Sequence, residues 1–265
     1  MPPSRPRLLG LWLAPLLLSA GAQAHSPYLK PNVFNADEQR KHVTVEASFA
    51  EGDLRPDVAM KSDTFHLIGP DGRKLPLLPA AVLKDASYLE VPLGAPGTYL
   101  ISSGVRKGRL AKAVLREGKV HFSEQTDDAQ PGDRPIEVQS VTRADVYVSR
   151  GRPSAVDHDT EGLEIYPVSK PHDLYAGEAI TVRVREGRKP LAGETLTLMA
   201  DGQTYAARKQ AEQSFTTNAA GEVSFKPQAA GLYLLQVRVR RPSPENAALW
   251  LSHTATLTLE IQAQP

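Results

Sequence analysis

Alternation of apolar and polar residues is the main pattern along this chain, and it predicts β-strands. In residues 43–49 the odd positions are apolar, whereas the even positions are polar or small. Residues 179–186 alternate in the same way, with Arg185 among the outward positions, and residues 232–240 and 254–261 repeat the pattern. A period of two is typical of half-buried strands in an antiparallel sheet.

Turn signals separate these segments at short intervals. The chain carries 22 prolines and 19 glycines, which interrupt any long helical period. Examples are Pro70-Asp71-Gly72, Asp201-Gly202 and the run from Asn218 to Gly221. Short strands with a turn about every ten residues predict an all-β protein built from antiparallel Ig-like β-sandwiches.

Polar composition in the middle of the chain suggests a division into two sandwich domains. Residues 136–148 read as a pair of strands, and the polar stretch 150–161 that follows reads as a linker. We therefore expect an N-terminal β-sandwich domain over residues 25–160 and a C-terminal one over residues 161–265, with separate cores that meet near residue 160.

Two segments of the chain resemble each other. Residues 94–101 and residues 228–235 both place a glycine-containing turn directly before an apolar strand that contains a tyrosine. Shared Ig-like turn chemistry explains this similarity more simply than duplication of a domain.

The two C-terminal alternating segments predict the interior of the second sandwich. We expect their aliphatic residues to share one face of two strands, with a β-bulge between Leu234 and Val237, where the phase of the alternation changes. The residues of this predicted face are Leu232, Leu234, Val237, Val239, Leu257, Leu259 and Ile261.

The first 24 residues have the pattern of a cleaved signal peptide. Arg5 and Arg7 precede an apolar run from Leu8 to Leu18, and Ala22-Gln23-Ala24 supplies a small-x-small cleavage site. The apolar run is shorter than the roughly 20 residues that a membrane-spanning helix needs. This pattern predicts export, and cleavage after Ala24 would make His25 the mature amino terminus.

Composition restricts the cellular compartment that we expect for this protein and the classes of function that it can have. The 31 basic and 30 acidic residues nearly cancel and form no basic block, which argues against a nucleic-acid partner. The absence of cysteine excludes disulfides and thiolate metal sites, and an exported protein without disulfides fits a bacterial periplasm. No second apolar stretch predicts a membrane span.

Because no nucleophile elbow, zinc-protease motif or phosphate loop is present, we expect no enzyme activity and no catalytic residues.

His25 is the first candidate metal ligand. As a mature terminus it would offer an α-amine and an imidazole, which can chelate one divalent transition metal, with nickel, copper, cobalt or zinc as candidate ions. Pro27 at the third mature position excludes the square-planar site that needs a histidine there. The alternative is that His25 belongs to a frayed terminus without a function.

Three further histidines are candidate ligands. His158 and His172 stand beside aspartates on either side of the predicted domain boundary, in a segment that could equally be a solvated acidic loop. His253 falls on the apolar face of a predicted strand, where a core histidine with one hydrogen bond is the alternative. The other histidines are expected at the surface: His42, His66 and His121.

Most of the mature chain resembles a known family in an ordered series of short segments. Each segment by itself is an ordinary turn or strand of Ig-like domains, and it is the order of the segments that is specific to the family. The segments are 25–31, 143–150, 162–167, 174–178, 187–193, 217–225, 230–235 and 254–259. In this order they resemble a periplasmic domain-of-unknown-function family that is often described as nickel-uptake or nickel-transport accessory proteins, with an Ig-like or transthyretin-like C-terminal repeat.

The resemblance implies a periplasmic protein that binds a divalent transition metal, nickel first, and serves a membrane transporter or an outer-membrane receptor. A non-catalytic interaction module that assists an outer-membrane receptor without any metal is the alternative, because transthyretin-like and adhesion repeats are often only structural.

Overall fold

The structure, a computed structural model, describes residues 25–51, 54–122, 130–156, 158, 161–202 and 212–265. These residues form strands and turns without a helix, so the all-β prediction is confirmed. Accordingly, this part of the chain holds no helix long and apolar enough to cross a membrane. The predicted signal peptide, residues 1–24, lies outside the described residues. The strands are β1 Ser26–Pro31, β2 Asn35–Ala36, β3 His42–Ala50, β4 Val58–Ala59, β5 His66–Ile68, β6 Lys74–Pro76, β7 Pro79–Val82, β8 Ser87–Pro92, β9 Gly97–Ser102, β10 Arg106–Arg116, β11 Lys119–Phe122, β12 Arg134–Arg150, β13 Leu163–Pro167, β14 Ile180–Glu186, β15 Lys189–Pro190, β16 Thr195–Ala200, β17 Gln213–Thr216, β18 Glu222–Phe225, β19 Gly231–Pro242 and β20 Leu249–Ile261.

The described residues form three sheets. A five-stranded sheet has the order β1-β3-β8-β7, with β4 paired to β3. An eleven-stranded central sheet follows the path β17-β16-β19-β20-β12-β9-β5-β6, with β10, β11 and β2 attached beside it. A four-stranded sheet is built around β14, which pairs with β13, β15 and β18.

The two largest hydrophobic cores among the described residues lie on opposite faces of the central sheet. The first core joins that sheet to the five-stranded sheet, with Val146 and Val148 of β12 packed near Val45 of β3 and Leu89 of β8. The second core joins it to the four-stranded sheet and includes Tyr147, the residue between those two valines. Because successive side chains of a strand point to opposite faces, β12 contributes to both cores.

Strand β12 differs from its prediction and links the two halves of the chain. Residues 134–150 form one strand of 17 residues rather than a strand pair, because β12 lies inside the sheet between β20 and β9. β12 and β20 are parallel, with Asp145 opposite Leu257, whereas most other pairs are antiparallel. Strands from both sides of residue 160 thus share one sheet, and separate folding of residues 25–160 and 161–265 stays a prediction.

Strand β19 is buried on both faces, so the predicted single interior is partly wrong. Val237, Leu257, Leu259 and Ile261 lie in the second core, with Val239 packed against it. Leu234 instead contacts the cluster that contains Tyr28 of β1, and Leu232 packs beside it on the opposite face. β19 and β20 pair from Gly231 to Pro242 without a register shift, so the predicted bulge is absent from this pair.

The two similar segments form the same local structure. The Tyr99 hydroxyl donates to the carbonyl of Ala95, and the Tyr233 hydroxyl donates to the carbonyl of Ala229 at 2.8 Å. A tyrosine that bonds the backbone four residues upstream is the tyrosine corner of Ig-like sandwiches. In each case the glycine two residues before the tyrosine has a positive φ, 141° in one and 144° in the other, which favours glycine.

Candidate functional site

The start of β1 is fixed over the central sheet by two hydrogen bonds. The Ser26 hydroxyl donates to the side-chain oxygen of Gln236 on β19, and the Thr256 hydroxyl of β20 donates to the carbonyl of Pro27 at 2.7 Å. These bonds fix the strand that begins directly after His25.

The His25 imidazole faces two carboxylates. Its Nε2 atom lies 3.6 Å from Glu51 Oε1 and 3.8 Å from Asp57 Oδ2. Glu51 follows β3 directly, opposite the start of β1, and its backbone N–H donates to Asp57 Oδ2 at 3.3 Å. The His25 side chain is 42% exposed, so water and ions reach it.

This arrangement leaves the other ring nitrogen, Nδ1, for a metal ion. An α-amine and the Nδ1 atom of the same histidine close a six-membered ring with a metal, whereas Nε2 cannot reach that ion. A carboxylate beside the second ring nitrogen is the usual outer-shell partner of a metal-bound histidine, because it orients the ring and makes it more basic. Within the described ranges, no three His, Cys, Asp or Glu side chains are grouped so as to hold a metal.

His158 lies in a different place, inside the protein. Its side chain is 1% exposed, and its Nε2 atom lies 3.4 Å from Glu164 Oε2. Its ring centroid is 6.3 Å from that of Tyr147 and 6.0 Å from that of Tyr166. Nδ1 of His158 is buried with no hydrogen-bond partner among the residues the structure describes. Its aspartate neighbours in the sequence, Asp157 and Asp159, lie outside the described residues.

A buried ion network surrounds His158, and sequence analysis missed it. Arg143 Nε donates to Asp145 Oδ2 at 2.8 Å, and Arg143 Nη2 lies 3.2 Å from Glu164 Oε2. Arg185 Nε donates to Glu164 Oε1, so the prediction that Arg185 faces outward is wrong. The four side chains balance two positive charges against two negative ones, which lowers the cost of burying them.

The network holds the pKa of Glu164 at about 2, below its ordinary value of 4.5. Burial acts to raise this pKa, but the His158 hydrogen bond and the charges of Arg143 and Arg185 outweigh burial. The Arg143 Nη1 atom also donates to the carbonyl of Glu161 at 3.0 Å. The network therefore joins β12 to the start of β13 and to β14 across the predicted domain boundary.

His172 and His253 occupy two further places. The carbonyl of His172 accepts a hydrogen bond from Gln262 Nε2 at 3.0 Å, and burial lowers the pKa of the His172 imidazole. His253 lies in β20 between Val239 and Val141 and faces the side of the sheet opposite to β1. Burial and then the charge of Arg241 lower the pKa of His253.

The structure thus gives His25 two carboxylate neighbours and places the other candidate histidines elsewhere. Thr256, at an even position of β20, reaches β1, whereas His253 at an odd position lies on the other face. Metal binding by His158, His172 and His253 stays a prediction. Among the histidines expected at the surface, His66 is buried instead, and its Nδ1 atom lies 2.9 Å from the carbonyl of Thr64.

Comparison with solved structures gives distant similarities. A DUF4785 family protein from Legionella pneumophila is 11% identical over 79% of this chain and 50% of its own, with a TM-score of 0.25. The BSP domain of a biofilm-associated protein is 14% identical over 89% of this chain and 30% of its own, with a TM-score of 0.20. The FN1–FN3 domains of chicken CNTN1 are 8% identical over 89% and 98%, with a TM-score of 0.24. The chain spans half of the first protein and less than a third of the second.

Comparison of the sequence with curated proteins gives no significant match. A family model does match, from residue 22 to residue 241, and so covers most of the strands described above together with His25 and the buried ion network. Its description is a domain of unknown function, DUF4198. The chain belongs to the DUF4198 family.

Proposed function

We propose that this protein is a periplasmic carrier of a divalent transition metal, nickel first, which binds at the His25 terminus. The observation that supports the proposal most is the position of the His25 imidazole, whose Nε2 atom lies 3.6 Å from Glu51 and 3.8 Å from Asp57. Nδ1 is then the ring nitrogen that can chelate a metal together with the α-amine that cleavage after Ala24 would create. The resemblance to nickel-uptake accessory proteins supports the choice of metal.

The donor set suits a protein that takes up a metal and passes it on. The terminal amine and Nδ1 of His25 supply two nitrogen ligands, which nickel, copper and zinc all accept. The remaining coordination positions stay open to water or to ligands from a partner, because the His25 side chain is 42% exposed. A metal held by two ligands at an exposed edge exchanges readily, as delivery to a membrane transporter or an outer-membrane receptor requires.

Substitution of His25 tests the proposal. We expect His25→Ala to weaken nickel binding at least tenfold, or about 1.4 kcal/mol, because it removes one of the two nitrogen ligands. His42→Ala is the matched control, since His42 is also exposed and its Nε2 atom lies 3.9 Å from Glu90 Oε2, but it lies within the chain and has no terminal amine. Isothermal titration calorimetry on protein with the authentic His25 terminus measures both. Equal affinities of the two variants would contradict the proposal.

A second candidate function, that of an interaction module, is favoured by an exposed apolar groove. Val58, Val82 and Leu83 are between 49% and 60% exposed and line this groove together with Lys61 and Lys84. β7 is the edge strand of the five-stranded sheet, so its outer side can accept another strand. Apolar side chains flanked by two ammonium groups suit an extended partner segment with alternating apolar and acidic residues.

The interaction-module proposal is tested with short synthetic peptides. A peptide of alternating valine and glutamate should bind the protein, and the double variant Lys61→Glu, Lys84→Glu should lose that binding. A valine–lysine peptide is the control, and equal binding of the two peptides would contradict this second function.

A further inference from the structure

A small cavity lies between the segment that leaves β12 and the segment that follows β13. Its volume is 230 Å³, and its walls come from residues 153–156 on one side and residues 166–172 on the other, with Tyr147 of β12 also in its lining. None of the residues assigned to metal binding in the preceding proposal lines this cavity, so its occupancy is independent of His25.

Buried contacts hold the two tyrosines of the cavity in place. The Tyr166 hydroxyl donates to the carbonyl of Val156 at 3.0 Å and so ties the two walls together. The Arg185 guanidinium lies 4.0 Å from the centroid of the Tyr166 ring, and His158 packs near both tyrosine rings. Since these groups belong to the buried ion network, the cavity is formed before any ligand arrives, which lowers the entropic cost of binding.

The lining combines apolar surface with one positively charged side chain. Pro153, Pro167, Pro171 and Val156 supply apolar surface beside the tyrosines. Lys170 supplies a positive charge. Among the described residues that line the cavity none carries a carboxylate. Such a lining attracts an anion and offers it apolar contact at the same time.

His172 lines the cavity, and its imidazole carries a polar atom that the described residues leave unsatisfied. His172 Nδ1 is buried, and no described residue hydrogen-bonds to it. A buried polar atom without a partner costs free energy, which a ligand atom in hydrogen-bond contact would recover. Burial also raises the pKa of the Tyr147 hydroxyl, so this group stays protonated and remains a possible donor.

We propose that this cavity is a binding site for a small organic acid with a single aromatic or branched apolar group. The apolar group packs between the tyrosines and the prolines, and the carboxylate is held by Lys170 with His172 beside it. The volume of 230 Å³ is below the roughly 300–1,000 Å³ of sites for drug-sized ligands, which restricts the ligand to about one ring.

Titration with benzoate tests the proposal, with benzyl alcohol as the uncharged control of similar shape. We expect benzoate to bind with a dissociation constant of about 1 mM or lower and benzyl alcohol to bind at least tenfold more weakly. Ligand-observed NMR on the full mature chain measures both. Absence of benzoate binding, or equal binding of the two compounds, would overturn the proposal.

Two variants locate the binding. Lys170→Met keeps the apolar stem but removes the charge, and it should abolish the preference for benzoate, whereas Lys74→Met in the exposed strand β6 should leave it unchanged. Ala155→Trp places a large ring at an exposed position of the lining and should block both compounds. Circular dichroism checks that each variant is folded. Benzoate binding that survives both Lys170→Met and Ala155→Trp would place it outside this cavity and overturn the proposal.

Discussion

Glu164→Gln is expected to destabilise the protein by about 3–5 kcal/mol, the cost of removing one partner from a buried ion network. The substitution keeps the shape of the side chain but removes the charge that faces Arg143 and Arg185. Glu164 is 1% exposed, and both arginines are nearly as buried, so water cannot replace the lost carboxylate. Arg143 would keep Asp145 as a counter-ion, whereas Arg185 would lose the carboxylate to which it donates.

Glu222→Gln is the matched control for this change. Glu222 accepts a hydrogen bond from Arg183 at 2.6 Å, and this pair also joins two strands of the four-stranded sheet but is partly exposed to water. We expect the control to cost less than about 1 kcal/mol, as for surface ion pairs. Urea unfolding followed by circular dichroism measures both variants. Equal destabilisation by the two substitutions would show that the network does not hold the sheets together.

The stabilising effect of Glu164 should also depend on pH. The pKa of Glu164 is about 2 in the folded protein and near 4.5 when the chain is unfolded. A lowered folded pKa means that the contribution to stability is complete above pH 4.5 and is lost as the pH falls toward 2. The difference in unfolding free energy between wild type and Glu164→Gln should therefore shrink over this range. A difference that stays constant from pH 6 to pH 2.5 would contradict the assignment.

Leu257→Ala is expected to cost about 2–5 kcal/mol, the range for a fully buried leucine. Leu257 is 0% exposed and lies in the second core, opposite Leu235 of β19 on one side and Asp145 of β12 on the other. Because β20 is an inner strand, the neighbouring strands cannot easily collapse into the cavity that the substitution leaves.

Leu78→Ala provides the control with the same chemical change. Leu78 is 84% exposed, so the control should alter stability by less than about 0.5 kcal/mol. Both free energies come from the same urea titration. A loss below about 0.5 kcal/mol for Leu257→Ala would place this residue at the surface and refute the register of β20.

The sequence predicts individual strands of this fold well, because one buried face is enough to produce alternation. Ile180, Val182 and Val184 alternate in the sequence and are all buried in the structure. Alternation does not reveal that a strand is covered on both faces. Alternation therefore predicts the same interior for Leu232, Leu234 and Val237, although a second sheet packs on the other side of β19.

The buried ion network could not be predicted from local pattern. A charged residue within an apolar alternation is expected to face water, since burial of an unpaired charge is costly. Arg185 faces inward because Glu164, on the neighbouring strand, compensates its charge, and this pairing becomes visible only when β13 and β14 are aligned. The sequence does carry one sign of the network. Three of its charged residues stand among residues that are buried: Arg143, Asp145 and Glu164.

The sequence identifies His25 as a candidate ligand but not the carboxylates beside it. The cleavage site directly before His25 indicates a terminal chelate, but nothing in the sequence relates His25 to Glu51 or Asp57. The pairing of β1 with β3, which sets Ser26 opposite Ala50, brings these carboxylates to the imidazole. The register of two strands separated by a long connection is decided by packing, so the sequence does not show it.

A nickel titration that moves the terminal amine away from His25 tests the metal-carrier proposal most directly. One protein begins at His25, and the other carries one additional alanine before it, so both retain the imidazole, Glu51 and Asp57. If the amine and Nδ1 chelate the ion together, calorimetry will show at least tenfold weaker binding for the extended protein, about 1.4 kcal/mol. Equal nickel affinity of the two proteins would contradict the terminal chelate.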